Sequence, residues 1–191
     1  MKSKRIFKHV PQVLDIEYNG LRKIISGGQT GADQAGLFIA EEFNLDTGGF
    51  MPAGYKTAAG FRPEFSSRFG MQCTESSQYP DRTKLNVQHS DATIRLASDF
   101  TTAGEKLTLN FVNTYNKPCI SISLLAVPTD SHVARVVDFL INFNVQTLNV
   151  AGNADRGIKT FHFDESMAFL RRVLHQLESK NYLIRKNDSD Q

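Results

Sequence analysis

The sequence predicts an α/β domain of Rossmann-like, doubly wound type: a mainly parallel sheet with helices on both faces. Three observations predict it. A short apolar run at 21–26 meets the glycine-rich turn Gly27-Gly28-Gln29-Thr30-Gly31 and then a helical stripe. Strand-like runs afterwards alternate with amphipathic stretches to the end of the chain, the pattern of successive βα units. The 191 residues are 40% hydrophobic and 22% charged, an ordinary globular composition with enough chain for one buried core.

Each element has its own justification. The run at 21–26 is too short for its period to separate strand from buried helix, and the glycines after it decide for strand. Beyond them Ala32, Ala35, Gly36, Ile39, Ala40 and Phe43 share one helical face. Strand, tight glycine turn and helix form the opening unit of a nucleotide-binding α/β fold. Residues 92–97 read as a strand, 105–115 as a helix with Leu107, Phe111 and Val112 inward, and 118–124 as a strand. Thr129 and Asp130 offer caps for a helix through Phe143, striped by Val133, Val136, Val137, Leu140 and Ile141. A strand at 147–151 precedes a final helix that Asp164 can cap, with Met167, Leu170, Val173, Leu174 and Leu177 as its apolar stripe.

The stretch 46–90 breaks the pattern. Gly48-Gly49, Met51-Pro52-Ala53-Gly54-Tyr55 and Ser76-Ser77 read as loop, with Asp81 capping a short helix that ends near His89. A connection of this length inside a compact domain is more often functional than passive. Residues 1–20 carry no period and read as an N-terminal extension, 21–185 as the ligand-binding domain, and 186–191 as a frayed tail.

The bulk numbers exclude several classes. A net charge of +2 is too small for a nucleic-acid binder, and the basic cluster Lys2, Lys4, Arg5 and Lys8 reads as a solvated end. Cys73 and Cys119 lie far apart without CxxC spacing, which argues against a disulfide framework or a structural zinc site. No run reaches the roughly 18 apolar residues of a membrane span, and the N-terminus lacks a signal-peptide core. The expected location is the cytoplasm. The five histidines form no metal-ligand pattern, no metal site is expected, and His162 reads as a surface residue before a helix. No Ser-His-Asp arrangement with a nucleophile elbow is visible.

Parallel α/β sheets bind ligands outside the carboxyl ends of their strands. Three loops leave those ends, at 26–31, 98–104 and 152–157. In the first, Gly27, Gly28 and Gly31 let the backbone approach an anion at a helix N-terminus, and Gln29 and Thr30 add side-chain donors. Neither a Walker loop nor GxGxxG is present. Asp33 in the first helical turn is a dipole partner, a sugar-hydroxyl acceptor or a general base. Arg82 and Thr83, at the start of the short helix, suit phosphate or carboxylate recognition. The second loop contributes Gly104 and Thr108, with Glu105 a routine first-turn carboxylate or an acid/base candidate. The third contributes Gly152 and Asn153, with Asp155 and Arg156 able to close over a ligand.

Four stretches together carry a resemblance. They are Ile24-Ile25-Ser26-Gly27-Gly28-Gln29-Thr30-Gly31-Ala32-Asp33; Gly48-Gly49-Phe50-Met51-Pro52; Tyr79, Arg82-Thr83, Asn86-Val87 and Ser90-Asp91-Ala92-Thr93; and Leu148-Asn149-Val150-Ala151-Gly152. In this order they resemble the molybdenum-carrier family, also described as circularly permuted YpsA-like proteins, over most of the chain. The resemblance implies a Rossmann-like fold in the superfamily of lysine-decarboxylase-like, cytokinin-activating phosphoribohydrolases. It also implies binding of a nucleotide-related ligand, molybdate or the molybdenum cofactor, an anionic pterin phosphate. Two stretches depart from the family pattern. Thr101-Thr102-Ala103-Gly104-Glu105 stands where a serine-rich Gly-Gly-Thr/Ser element is usual, and Asn153-Ala154-Asp155-Arg156 where Pro-Arg-Glu-Ser is usual.

The expected function is therefore a binding protein for an anionic nucleotide-like or oxyanion ligand. The alternatives are a nucleotide-processing hydrolase of phosphoribohydrolase type using Glu105 or Asp33, and a nucleotide-sensing interaction module. The expected partner is a small anionic ligand; a homo-oligomer stays open, and membrane or nucleic acid is not expected.

Overall fold

The computed structural model describes residues 20–157 and 161–186. The proposed extension 1–20, apart from Gly20, and the tail beyond Lys186 lie outside them. Lys186 itself, expected to fray, donates its amide to Asn44 O at 3.0 Å. The elements run β1 (Lys23–Ser26), α1 (Ala32–Glu42), β2 (Asp46–Met51), a 3₁₀ turn (Ala53–Tyr55), β3 (Lys56–Thr57), β4 (Gly60–Phe61), α2 (Glu64–Phe69), β5 (Met71–Cys73), α3 (Tyr79–Gln88), β6 (Ala92–Ala97), α4 (Ala103–Thr114), β7 (Cys119–Ser123), α5 (Asp130–Asn142), β8 (Thr147–Gly152) and α6 (Phe161–Ser179).

Six strands form one sheet in the order β5-β2-β1-β8-β6-β7, and every pairing in it is parallel. β3 and β4 make a separate two-stranded antiparallel hairpin. From β1 the chain steps outward through β2 to β5, whereas from β6 it steps the other way to β7. Right-handed crossovers then put α1 and α5 on one face and α3 and α4 on the other. The step reverses around β8, which lies between β1 and β6 with Ile24 opposite Leu148 and Ile94 opposite Val150. Such a switch point opens a crevice at the carboxyl edge.

The core follows from the strands and stripes predicted above. Ile24, Ile94, Leu96, Leu148 and Val150 pack against Ile39, Val136, Val137, Leu140, Leu170, Val173 and Leu174. α5 starts at a capping box in which Thr129 donates its amide to His132 Nδ1 at 3.1 Å. Four helices hand over to an asparagine in the left-handed region: Asn44 (φ 55°), Asn116 (48°), Asn144 (48°) and Asn181 (54°). Short polar side chains tolerate that conformation and so end α1, α4, α5 and α6.

Several readings are corrected. The stretch 46–90 is not loop around one short helix: besides that helix, α3, which starts at Tyr79 with Asp81 in its first turn and not at its cap, it contains β2, α2, β5 and the β3–β4 hairpin. Gly49 has a φ of 121°, and a Cβ there would overlap Ser26 O, so β2 needs a glycine at one of the two positions that disguised it. Phe65, Phe69 and Met71 close over Leu37 and Met51 in a second small core. In α4 the inward face is Glu105, Thr108 and Val112, while Leu107 and Phe111 are half-buried. Asp164 lies inside the first turn of α6 and is not its cap.

Candidate functional site

A crevice of about 740 Å³ lies over the carboxyl ends of β1, β8 and β6. The loops after those strands and the first turns of α3, α4 and α6 wall it. Of the expected site residues, Gln29, Asp33, Arg82, Thr83, Gly104, Glu105, Thr108, Gly152 and Asn153 line it. Gly27, Gly28, Thr30 and Gly31 do not. Thr30 and Gly31 border a separate cavity of about 340 Å³.

In the first turn, expected as an anion cradle, neighbouring side chains take the amides of Gly28, Gln29 and Thr30. Gly28 N–H donates to Ser26 Oγ (3.1 Å), Gln29 N–H to Asp33 Oδ2 (3.3 Å) and Thr30 N–H to Gln29 Oε1 (2.9 Å). Its glycines answer to packing. A Cβ on Gly27 would occupy the place of the Arg82 guanidinium, and one on Gly31 (φ 83°) would overlap Asn153 O. Arg82 reaches across to Asp33 at 2.9 Å, with the pair almost wholly withdrawn from solvent. Burial pushes the Asp33 carboxyl above its ordinary value, opposed chiefly by the Arg82 charge.

The second turn is built the other way. Glu105 was expected beside its own helix amides, but its carboxylate turns inward to Arg95 in β6, with Arg95 Nε donating to Oε2 at 2.9 Å. Burial holds the Glu105 carboxyl above its ordinary value, and Arg95 works against that shift. Thr102 caps α4, its Oγ1 accepting from Glu105 N at 3.4 Å, which leaves its own hydroxyl proton unused. The N–H groups of Ala103 and Gly104 precede the first intrahelical bond and have no partner among the described residues. Nothing lies within 4 Å of a Cβ on Gly104.

Other expected donors are engaged. Thr83 and Thr108 give their hydroxyl protons to Tyr79 O (3.0 Å) and Gly104 O (3.0 Å), so each faces the crevice as an acceptor. Asn153 fastens the second loop: its Oδ1 accepts from the amides of Ser98 (3.0 Å) and Asp99 (2.9 Å), and its Nδ2 donates to Asp99 O (3.0 Å). Asp91, at the far end of α3, accepts from the amides of Gln146 and Thr147.

Sequence reasoning missed four participants. Arg95 is the lone cation in a strand buried along its whole length, a signal visible in Ala92-Thr93-Ile94-Arg95-Leu96-Ala97. Tyr79 contributes its ring, with the Arg82 guanidinium 5.7 Å from the centroid. Ser98 and His162 meet at the crevice, Oγ to Nε2 at 2.8 Å. His162 is therefore not a surface residue ahead of a helix; it sits half-buried in the first turn of α6, brought there from 64 positions away. No local signal marks it. Among the described residues no three His, Cys, Asp or Glu side chains converge as ligands for a metal ion.

The comparisons agree with this architecture. The model of the circularly permutated YpsA SLOG family matches residues 24–174. The chain is also similar to the 1.45 Å crystal structure of a protein named Putative molybdenum carrier protein, from Syntrophus aciditrophicus SB. The two share 32% identity with a TM-score of 0.75, over 82% of this chain and 96% of that one. No curated protein matches. No described helix is long and apolar enough to cross a membrane.

Proposed function

The chain belongs to the circularly permutated YpsA SLOG family, and on that premise we propose that it binds a small ligand made of a flat ring and a phosphate. A nucleoside monophosphate has that chemistry, and so does a pterin phosphate such as the molybdenum cofactor, the cargo suggested by the name of the similar protein. One observation carries the reading: the unpaired amides of Ala103 and Gly104 open on the crevice beside the Thr102 hydroxyl. A helix N-terminus with free donors attracts phosphate oxygens, and Arg156 at the rim adds a cation. Tyr79 and Gln29 stand on the β1 side of the crevice, where a ring and its polar edge would lie.

A bare oxyanion fits less well. Asp33 is matched by Arg82 and Glu105 by Arg95 behind the lining, which leaves Asp99 against Arg156. A lining without surplus positive charge favours a ligand whose anion is one end of a larger body. Titration calorimetry with AMP, adenosine and molybdate tests the proposal. AMP is expected to saturate one site, adenosine to bind at least tenfold more weakly for want of hydrogen bonds to a charged group of about 1.5–3 kcal/mol, and molybdate not to saturate. Saturation by molybdate with none by AMP would replace this reading by that of an oxyanion carrier.

A further inference from the structure

The geometry points to Ser98 as a histidine-activated nucleophile, with His162 as its base, acting on a carboxylic ester small enough to enter the crevice. Ser98 Oγ lies 2.8 Å from His162 Nε2, and His162 Nδ1 lies 2.9 Å from Asp155 Oδ1. An ionised carboxylate only accepts, so Nδ1 carries a ring proton, and in the neutral ring Nε2 then presents its lone pair to the serine hydroxyl. The other acceptor near that hydroxyl, Asn153 Oδ1, is farther at 3.4 Å and already takes two amides. Serine, histidine and carboxylate thus stand in the order and spacing by which acyl-transfer enzymes raise a serine to a nucleophile.

The three groups are held from separate places. Ser98 follows the end of β6, and the Asn153 clamp fixes its backbone. Asp155 is a positioning residue: buried, it accepts the amides of His162 (2.8 Å) and Phe163 (2.9 Å) besides the ring, which locks the imidazole to the start of α6. Ser98 and His162 both line the crevice, as do Ala103 and Gly104, whose unpaired amides are the type of donor a developing oxyanion needs.

The step balances without a co-reactant other than water. Ser98 Oγ bonds to the acyl carbon as its proton passes to His162 Nε2. The alkoxide leaves with that proton as the C–O bond breaks, giving an acyl-serine and an alcohol. Water then gives a proton to Nε2 while its oxygen bonds to the acyl carbon, and Ser98 Oγ leaves and regains the proton, releasing a carboxylic acid.

This inference does not rest on the nucleotide reading, and its probes contain no nucleotide. The full chain is treated with a fluorophosphonate, and separately with p-nitrophenyl acetate, and adducts are located by peptide mass spectrometry. Phosphonylation and acetylation at Ser98 are expected, and His162→Gln should slow phosphonylation about 10²–10⁴-fold, the contribution of a general base. Absence of both adducts at Ser98 in the unmodified chain, or equal rates in His162→Gln, overturns the assignment. The acetyl adduct needs no variant, so a His162→Gln chain that fails to fold leaves the test intact. AMP binding without adducts would retain the ligand and sink the nucleophile; adducts without AMP binding would do the reverse.

Discussion

The two strand-to-helix turns that flank β8 hold like places in the sheet and differ in what they face. The first, between β1 and α1, holds three glycines and spends its amides on Ser26, Asp33 and Gln29. The second, between β6 and α4, holds a single glycine and leaves two helix amides unpaired at the crevice. Under each lies a buried arginine–carboxylate pair, Arg82–Asp33 and Arg95–Glu105. In the first the pair crosses the mouth of the turn; in the second it points into the fold and clears the helix end. Glycine content therefore measures how closely a turn is packed, and the direction of the nearest carboxylate decides whether its amides stay available.

The comparison breaks most visibly at Glu105. In Glu105→Ala the Arg95 guanidinium loses the partner that justified its burial, and unfolding in urea should show a loss of about 3–5 kcal/mol, the scale for splitting a buried ion pair. A loss below about 1 kcal/mol would mean that Ser121 Oγ, 3.2 Å from Arg95 Nη1, suffices to satisfy the cation.

The glycines come next. Gly31→Ala places a Cβ against Asn153 O in a left-handed backbone, and a cost of about 2–3 kcal/mol is expected in the same assay. Gly104→Ala meets nothing and sits in a helix, so it should be neutral or stabilising by up to about 1 kcal/mol. Equal losses at the two positions would erase the distinction between a packing glycine and an open one.

The smallest effect concerns pH. Burial raises the Glu105 carboxyl, so the folded chain keeps a proton that the unfolded chain has already released. The contribution of Glu105 to stability is thus complete below the ordinary carboxyl range and falls as pH climbs from there through the raised value. Wild type should lose stability relative to Glu105→Gln as pH rises from about 4. A gain over that interval would show that the Arg95 charge outweighs burial.

Much of this fold was legible in the chain. The structure returns the glycine turn after β1, the stripes of α1 and α5 and the buried run of β6 within a residue or two, and the stripe of α6 on a helix that starts at Phe161, ahead of the expected cap. What escaped had no period to read. β2 carries Gly48 and Gly49 where a strand usually shows branched residues, because β1 and α3 press against it. α2 is six residues long, too short to repeat a face. In the site, the crevice position of Arg82 followed from helix direction, but the partnership of Arg82 with Asp33 did not, since 49 positions separate them. Whether an amide or hydroxyl is free depends on who else reaches it. That is settled by tertiary neighbours such as Asn153 for Ser98, and Asp155 for His162.

The place of β8 also bears on how the molecule comes into being. Of the six described sheet strands the last in chain order is the one inserted between β1 and β6, and its ladder joins Ile24 to Leu148 across most of the sheet's sequence. Until Thr147–Gly152 arrives, β5-β2-β1 and β6-β7 are two half-sheets, each with a bare apolar edge. Pairings so distant in sequence are slow to form, because a long loop must close before any contact rewards it. The crevice, which needs both halves, comes into existence only at that closing step. A growing chain thus carries two unsealed edges from the making of β6 to the making of β8, an interval in which chaperone capture and mispairing compete with completion.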